Sequence, residues 1–223
     1  MFNENLLVSV VIPAFKEGKT IRKVIRDLRS SSSYDTEIIV VDGYSNDGTE
    51  EIVKEENAAF VSEPRKGYGR AIKTGIDHAK GDVVVIIDAD DTYDAADINK
   101  VVTPLLNGTA DVCLASRLGG TLLPGSMQGM NLFGNRMFTS IYNVLYRQNV
   151  TDTQTGFRAL TKDAVEQLNL YSDGMGLATV FLTEAAKSGL RITEFPTVYK
   201  PRDDESRTKM NRLKAGWAIS RIL

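Results

Sequence analysis

The sequence predicts an α/β domain built on a mostly parallel central sheet flanked by helices. Three observations carry that expectation. Short apolar runs alternate with amphipathic stretches from the first residues onward. The run Val83 to Ile87 is β-branched and short, as in a strand buried on both faces. The chain of 223 residues, 42% hydrophobic and 25% charged, suits one packed domain and argues against disorder.

In order, Leu7 to Ile12 reads as a strand, Lys19 to Arg29 as a helix, Glu37 to Val41 as a strand and Thr49 to Glu56 as a helix. A short strand near Ala59 to Ser62 and a helix from Tyr68 to Lys80 lead into the Val83 to Ile87 strand. A helix over about Asp94 to Leu106 and a strand over Asp111 to Ala115 complete the regular alternation. After Ser116 the pattern changes. Gly119, Gly120, Pro124, Gly125 and Gly129 read as a flexible loop, followed by helical spacing from Asn131 to Gln148. The apolar stripe of that helix is Leu132, Phe133, Met137, Phe138, Ile141 and Leu145, a pattern read first as core and second as a membrane-facing surface. Strands at Phe157 to Leu160 and Ile192 to Val198, helices near Lys162 to Leu168 and Leu177 to Ser188, and a polar tail from Tyr199 follow. The expected organisation is a single domain over 1–223, with residues 1–117 as one half and 118–223 as a second half with a C-terminal tail.

Composition narrows the chemistry. Twenty-seven Lys and Arg against 29 Asp and Glu leave a net charge of -2, so no bulk attraction draws the chain to nucleic acid. One cysteine, Cys113, excludes an internal disulfide framework and a multi-cysteine zinc site, and fits a reducing compartment. One histidine, His78, excludes multi-histidine metal sites. Any metal must be held by oxygen. No run approaches the roughly 20 apolar residues of a membrane span, so a soluble or peripheral protein is expected.

In an open parallel sheet, ligands bind beyond the carboxyl ends of the strands. Those ends here carry Pro13-Ala14-Phe15-Lys16-Glu17, then Asp42 to Thr49, then Asp88-Ala89-Asp90-Asp91, then Ser116-Arg117. Each alone also fits a turn or a helix cap. Asp88 and Asp90 are the most informative, because residues two apart on extended backbone point the same way and Ala89 adds little bulk. Converging carboxylates call for a cation, and Mg²⁺ or Mn²⁺ takes such ligands together with phosphate oxygens, so a diphosphate ligand is expected. A dinucleotide-binding G-x-G-x-x-G is missing after the first strand. Lys66-Gly67-Tyr68-Gly69 opens a helix but lacks the Lys-Ser/Thr ending of a phosphate-cradling Walker loop.

Taken together, Ile12 to Glu17, Asp42-Gly43 with Asp47-Gly48-Thr49, Lys66 to Gly69, Gly81-Asp82, Asp88-Ala89-Asp90, Ser116-Arg117 and Thr155-Gly156-Phe157-Arg158 resemble the family 2 glycosyltransferases. Within them the chain is similar to the dolichyl-phosphate mannose or glucose synthase branch, and Arg202 with Ser206-Arg207-Thr208-Lys209 resembles its archaeal members. The resemblance implies a GT-A fold, a UDP- or GDP-linked sugar donor, a divalent metal (Mg²⁺ or Mn²⁺), and inverting transfer of a hexose to polyprenyl (dolichyl) phosphate. It implies peripheral membrane contact at the cytoplasmic face. By position, Pro13, Ala14, Phe15, Glu17, Asp42 and Lys66 would hold the donor, with Asp42 accepting an imide N–H of uracil or guanine alike. Asp88 and Asp90 would meet the metal and diphosphate, and Arg202 and Lys209 would close over it. Thr92 stands where many synthases of the branch carry Gln.

For the acceptor, Arg117 follows a strand end, and Arg136 and Ser140, four apart, share a helix face; together they suit a phosphate clamp. A phosphate monoester arrives ionised and needs no enzyme base. A hydroxyl acceptor would need a carboxylate, with Asp152 and Glu184 as candidates. The alternatives are therefore transfer to a soluble phosphorylated or glycan acceptor, and a non-catalytic nucleotide-sugar-binding module. Arg158 is expected to be structural and paired with a carboxylate, and Cys113 buried and inert. The only tryptophan, Trp217, lacks the Gln-x-x-Arg-Trp context of processive polymer makers.

Overall fold

A computed structural model gives the structure of the chain and describes residues 6–202 and Ile222. Lys209, with Ser206, Arg207, Thr208 and Trp217, lies outside the described residues. The described residues hold seven strands: β1 (Leu7–Ala14), β2 (Asp35–Asp42), β3 (Ala59–Ser62), β4 (Val83–Ile86), β5 (Val112–Leu122), β6 (Arg158–Thr161) and β7 (Ile192–Tyr199). They form one sheet in the order β3-β2-β1-β4-β6-β5-β7. Every neighbouring pair is parallel except the two that involve β6. The helices are α1 (Ile21–Ser31), α2 (Thr49–Glu55), α3 (Tyr68–His78), α4 (Ile98–Leu106), α5 (Gly129–Tyr146), α6 (Lys162–Gln167) and α7 (Leu177–Lys187), with a 3-10 turn at Ala95–Asp97.

Strand alternation divides the core into two layers. Val8, Val10 and Ile12 of β1 pack with Ile21, Ile25 and Leu28 of α1 and with Ile98 and Val102 of α4. Val11, one residue out of phase, lies with Ile72 of α3 and with Val180 and Phe181 of α7 in the opposite layer. Helices thus cover both faces, which is why β4 reads as an unbroken apolar run and β1 as one interrupted only by Ser9. Cys113 is buried, and burial pushes its thiol up to about 12, so it stays unreactive.

Two expectations are corrected. Residues 116–122 are not a loop: β5 continues through Gly119 and Gly120 and pairs with β7 across an irregularity between Ser116 and Thr121. A β-carbon on Gly120 would lie 2.0 Å from the Thr197 carbonyl oxygen, so glycine there marks close strand approach, not flexibility. The second concerns α5. Only Thr139 and Tyr142 of this helix are buried, while Phe133 is 70% and Val144 80% exposed. Of the stripe, Phe133, Met137, Ile141 and Leu145 are exposed and Leu132 and Phe138 half-buried, and the core position is taken by Tyr142, whose hydroxyl donates to the Leu182 carbonyl at 2.9 Å.

Strand β6 positions the site. Because it runs against its neighbours, the residues just before it, Asp152 to Phe157, arrive at the carboxyl end of β4 and beside the stretch of β5 that carries Ser116 and Arg117.

Candidate active site

The loops after β1, β2 and β4 are tied to one another. Asp42, at the end of β2, accepts from the Ser45 backbone N–H at 2.8 Å and from the Ser45 hydroxyl, and that hydroxyl oxygen accepts from the Lys16 N–H at 2.7 Å. Asp47 accepts from the Gly18 N–H at 2.9 Å, and the Thr20 hydroxyl donates to the Ala89 carbonyl at 2.7 Å. Lys16, Tyr44, Asn46 and Asp91 have left-handed backbone, with φ between 48° and 64°, although none is glycine. Such positions cost of order 1 kcal/mol each and are held only when neighbouring bonds over-determine them. Phe15 and Tyr44 stand exposed beside Asp42, and the Lys16 ammonium lies 5.7 Å from the Phe15 ring centre.

Beyond β4, Asp88 accepts at Oδ1 from the Tyr68 hydroxyl at 2.7 Å. Its other oxygen faces Gly156, where a β-carbon would lie 2.0 Å from Oδ2. Burial, then the neighbouring Asp90 charge, push the Asp88 carboxyl up to about 6. Asp90 is 4% exposed; its Oδ1 accepts from the Thr92 hydroxyl at 2.6 Å and the Thr92 N–H at 3.2 Å. Its Oδ2 pairs with Arg202, whose other terminal nitrogen lies 3.8 Å from Glu17. Arg202 is brought there by the end of β7: Tyr199 bridges to Tyr93, and the Lys200 N–H donates to the Thr92 carbonyl at 2.8 Å. One guanidinium thus neutralises two acidic side chains from different loops.

Arg117 is buried within β5. Its Nε and a terminal nitrogen donate to Asp152 at 2.7 and 3.0 Å, and its guanidinium lies 5.3 Å from the Tyr199 ring centre. Asp152 is fully buried and also accepts from the Arg117 and Gln154 N–H groups, both at 3.1 Å. Glu184 pairs with Lys187 at 2.9 Å. Thr139 of α5 and Thr153 share a hydrogen bond of 3.0 Å, so α5 is fastened next to the Asp152–Arg117 pair. Arg136 and Ser140 lie on the exposed side of α5, where the Ser140 hydroxyl donates to the Arg136 carbonyl at 2.9 Å. Among the described residues, no hydrogen bond or ion pair joins Arg136 to the acidic pair.

Arg158 is structural, but its partners are not a carboxylate: it donates to the carbonyls of Thr155 and Ala178 and lies 5.3 Å from the Phe181 ring centre. It therefore braces the start of β6 against α7. Lys66 is exposed, and the Gly67 and Gly69 beside it pack on the carbonyls of Asp173 and Ser172, leaving Tyr68 to face Asp88. Tyr68 and Gly156 are contacts of Asp88 that no single-residue reading singled out. Both stand in quoted motifs, but only the folded chain brings them together.

Solved structures with this architecture include glucosyl-3-phosphoglycerate synthase from Mycobacterium tuberculosis in complex with Mn²⁺, uridine diphosphate and phosphoglyceric acid, with a TM-score of 0.79. The match covers 97% of this chain and 77% of that one at 21% identity, and shows that the two chains share the GT-A fold. Residues 9–168 match glycosyl transferase family 2, and the chain belongs to that family of glycosyltransferases. From Haloferax volcanii, glycosyltransferase AglJ is 33% identical across 95% of this chain and 69% of its own length, and a dolichyl-phosphate hexose transferase is 30% identical across 97% and 92%. The low-salt glycan biosynthesis hexosyltransferase Agl6 of the same organism is 34% identical across 97% of this chain, which spans about half (52%) of that relative.

Proposed function

We propose that the chain transfers a hexose from a UDP- or GDP-linked donor to a polyprenyl (dolichyl) phosphate, with inversion and with the help of Mg²⁺ or Mn²⁺. The observation that carries the phosphate acceptor is the Arg117–Asp152 pair. Of the two carboxylates that a hydroxyl acceptor would need as a base, Asp152 is sealed from solvent and already binds a guanidinium, and Glu184 is paired with Lys187. A phosphate oxygen needs no such base. It attacks the sugar C1 as the C1–O bond to the donor breaks, and the nucleoside diphosphate leaves with the electron pair of that bond.

The donor set suits a hard divalent cation. Among the described residues no group of three His, Cys, Asp or Glu side chains could enclose a metal, while the pair Asp88 and Asp90 leaves room for the phosphate oxygens that Mg²⁺ and Mn²⁺ favour. Asp88 and Asp90 would hold the ion, which supplies Lewis-acid charge to the departing diphosphate. Arg202, released from Asp90, then meets the same phosphates. Asp42, Phe15, Ala14, Pro13 and Glu17 line the nucleoside end, with Lys66 and Lys209 adding charge. Arg136 and Ser140 receive the acceptor phosphate with Arg117.

The exposed face of α5 supports a lipid acceptor. Met130, Phe133, Met137, Ile141 and Val144 form an outward apolar strip with Arg136 and Ser140 along its flank. No helix among the described residues is long and apolar enough to cross a membrane. A strip that lies in the headgroup region at the cytoplasmic face would present a dolichyl phosphate to the site.

The test is release of nucleoside diphosphate and formation of a lipid-linked sugar from UDP-glucose, UDP-N-acetylglucosamine or GDP-mannose with Mn²⁺ and a short dolichyl phosphate. Absence of product with every donor overturns the reading, and equal turnover with soluble acceptors overturns its lipid part. Arg136→Ala is expected to raise the acceptor KM several-fold more than the donor KM.

A further inference from the structure

Asp88 is held from two sides by residues of other elements. On one side, Tyr68 opens α3, and the mount of that helix is rigid. A β-carbon on Gly67 would lie 2.2 Å from the Asp173 carbonyl oxygen, one on Gly69 2.7 Å from that of Ser172, and the Arg70 N–H donates to the Asp173 carbonyl at 3.0 Å. The half-buried Tyr68 ring packs against the core layer that contains Ile72 and Val180, so its hydroxyl is delivered to Asp88 Oδ1 at 2.7 Å from a fixed direction. On the other side, Gly156 closes on Oδ2 and is itself fixed, because its N–H donates to the buried Tyr93 hydroxyl at 2.6 Å. A carboxylate at the end of a strand would otherwise rotate freely about its χ angles.

We propose that Tyr68 is a positioning residue of the donor site: its hydroxyl, opposed by Gly156, holds Asp88 in the orientation that receives the cation and diphosphate. This rests on the reading of Asp88 and Asp90 as the cation and diphosphate ligands. The hydroxyl donates to Asp88 Oδ1, so its effect on the donor would pass through that carboxylate. Partners of this kind typically change metal affinity by about 10- to 100-fold when removed.

The experiment is calorimetric titration of Mn²⁺ with UDP, and of Mn²⁺ with GDP, into the full chain and into Tyr68→Phe, with thermal midpoints recorded alongside. The phenylalanine keeps the ring in the core and deletes only the donor. The expected result is nucleotide affinity weaker by about tenfold or more, a donor KM raised in step with an unchanged acceptor KM, and an unaltered midpoint. In an Asp88→Asn background, loss of the hydroxyl is expected to add little. If the wild-type chain binds Mn²⁺ with UDP or GDP and Tyr68→Phe binds as well, the positioning role is overturned while the donor-site reading stands. Equal losses in the presence and absence of the Asp88 carboxylate also overturn it. If the wild-type chain binds neither pair, the donor-site reading falls first and takes this role with it. Gly156→Ala provides a second route: it displaces Oδ2 without touching Tyr68, and unchanged nucleotide binding there overturns the two-sided clamp.

Discussion

The edge formed by the loops after β1, β2 and β4 differs in kind from the surface formed by α5. At the first, nearly every polar group is spoken for inside the protein: Asp42 by Ser45, Asp47 by Gly18, Asp88 by Tyr68, Asp90 by Thr92 and Arg202. At the second, apolar side chains stand in the open and only two residues of an 18-residue helix are buried. The contrast follows the chemistry of what each would bind. A compact, charged diphosphate rewards groups fixed before it arrives, because reorganisation at the moment of binding would consume the interaction. A lipid chain rewards area and tolerates imprecision.

Four experiments bear on that contrast. The largest effect is expected from Asp90→Asn, which should abolish transfer and Mn²⁺-dependent nucleotide binding while vesicle binding is retained; calorimetry and flotation read the two separately. A parallel loss of vesicle binding would mean that the regions are not independent. Next, Phe133→Asp with Val144→Asp should weaken partition onto phosphatidylglycerol vesicles by about tenfold or more and leave UDP binding untouched. Retained partition would assign that face to something other than lipid.

The third is a pH dependence. A carboxyl pushed up to about 6 from an ordinary 3.8 is protonated as pH falls through 6, and a protonated Asp88 is a poor cation ligand. Mn²⁺-dependent nucleotide affinity should therefore fall below pH 6, by up to about tenfold per unit, and that slope should vanish in Asp88→Asn. The same upward shift means that folding stability in the absence of metal declines as pH rises from about 4 to 6, since the unfolded chain ionises first. The smallest effect concerns Glu63, buried just after β3 and held by Arg65 at 2.7 Å. Its carboxyl is lowered to about 2, first by that arginine, so its stabilisation is present above pH 4.5 and is lost as pH falls towards 2. Glu63→Gln should cost about 1 kcal/mol at pH 7, because Arg65 is largely exposed and screened. Its denaturant midpoint should converge with that of wild type in acid.

How far the chain could be read depends on where in it the information lies. Alternation and strand-end chemistry are local, so β1 to β4 with their helices, and Asp88 with Asp90 at a strand end, follow from windows of a few residues. β5 was legible only to Ala115, because Gly119 and Gly120 look like a loop until Thr197 is placed against them. The stripe on α5 had the right period and an ambiguous destination. Periodicity reports that a face is apolar; what covers it depends on neighbours far along the chain. Arg158 was legible as structural, yet its partners proved to be carbonyls of Thr155 and Ala178.

From its order of residues alone, the chain specified a two-sided α/β sheet, the acidic pair at its edge and membership of family 2, since each depends on contiguous patterning and motif spacing. The placement of β6 against its neighbours, the grip of Tyr68 and Gly156 on Asp88, the sealing of Asp152 by Arg117 and the outward turn of α5 all required the fold. They join residues far apart in the chain, from Tyr68 with Asp88 at one extreme to Val83 with Thr161 at the other. Contacts at that separation arise from packing as a whole, and no local propensity encodes them.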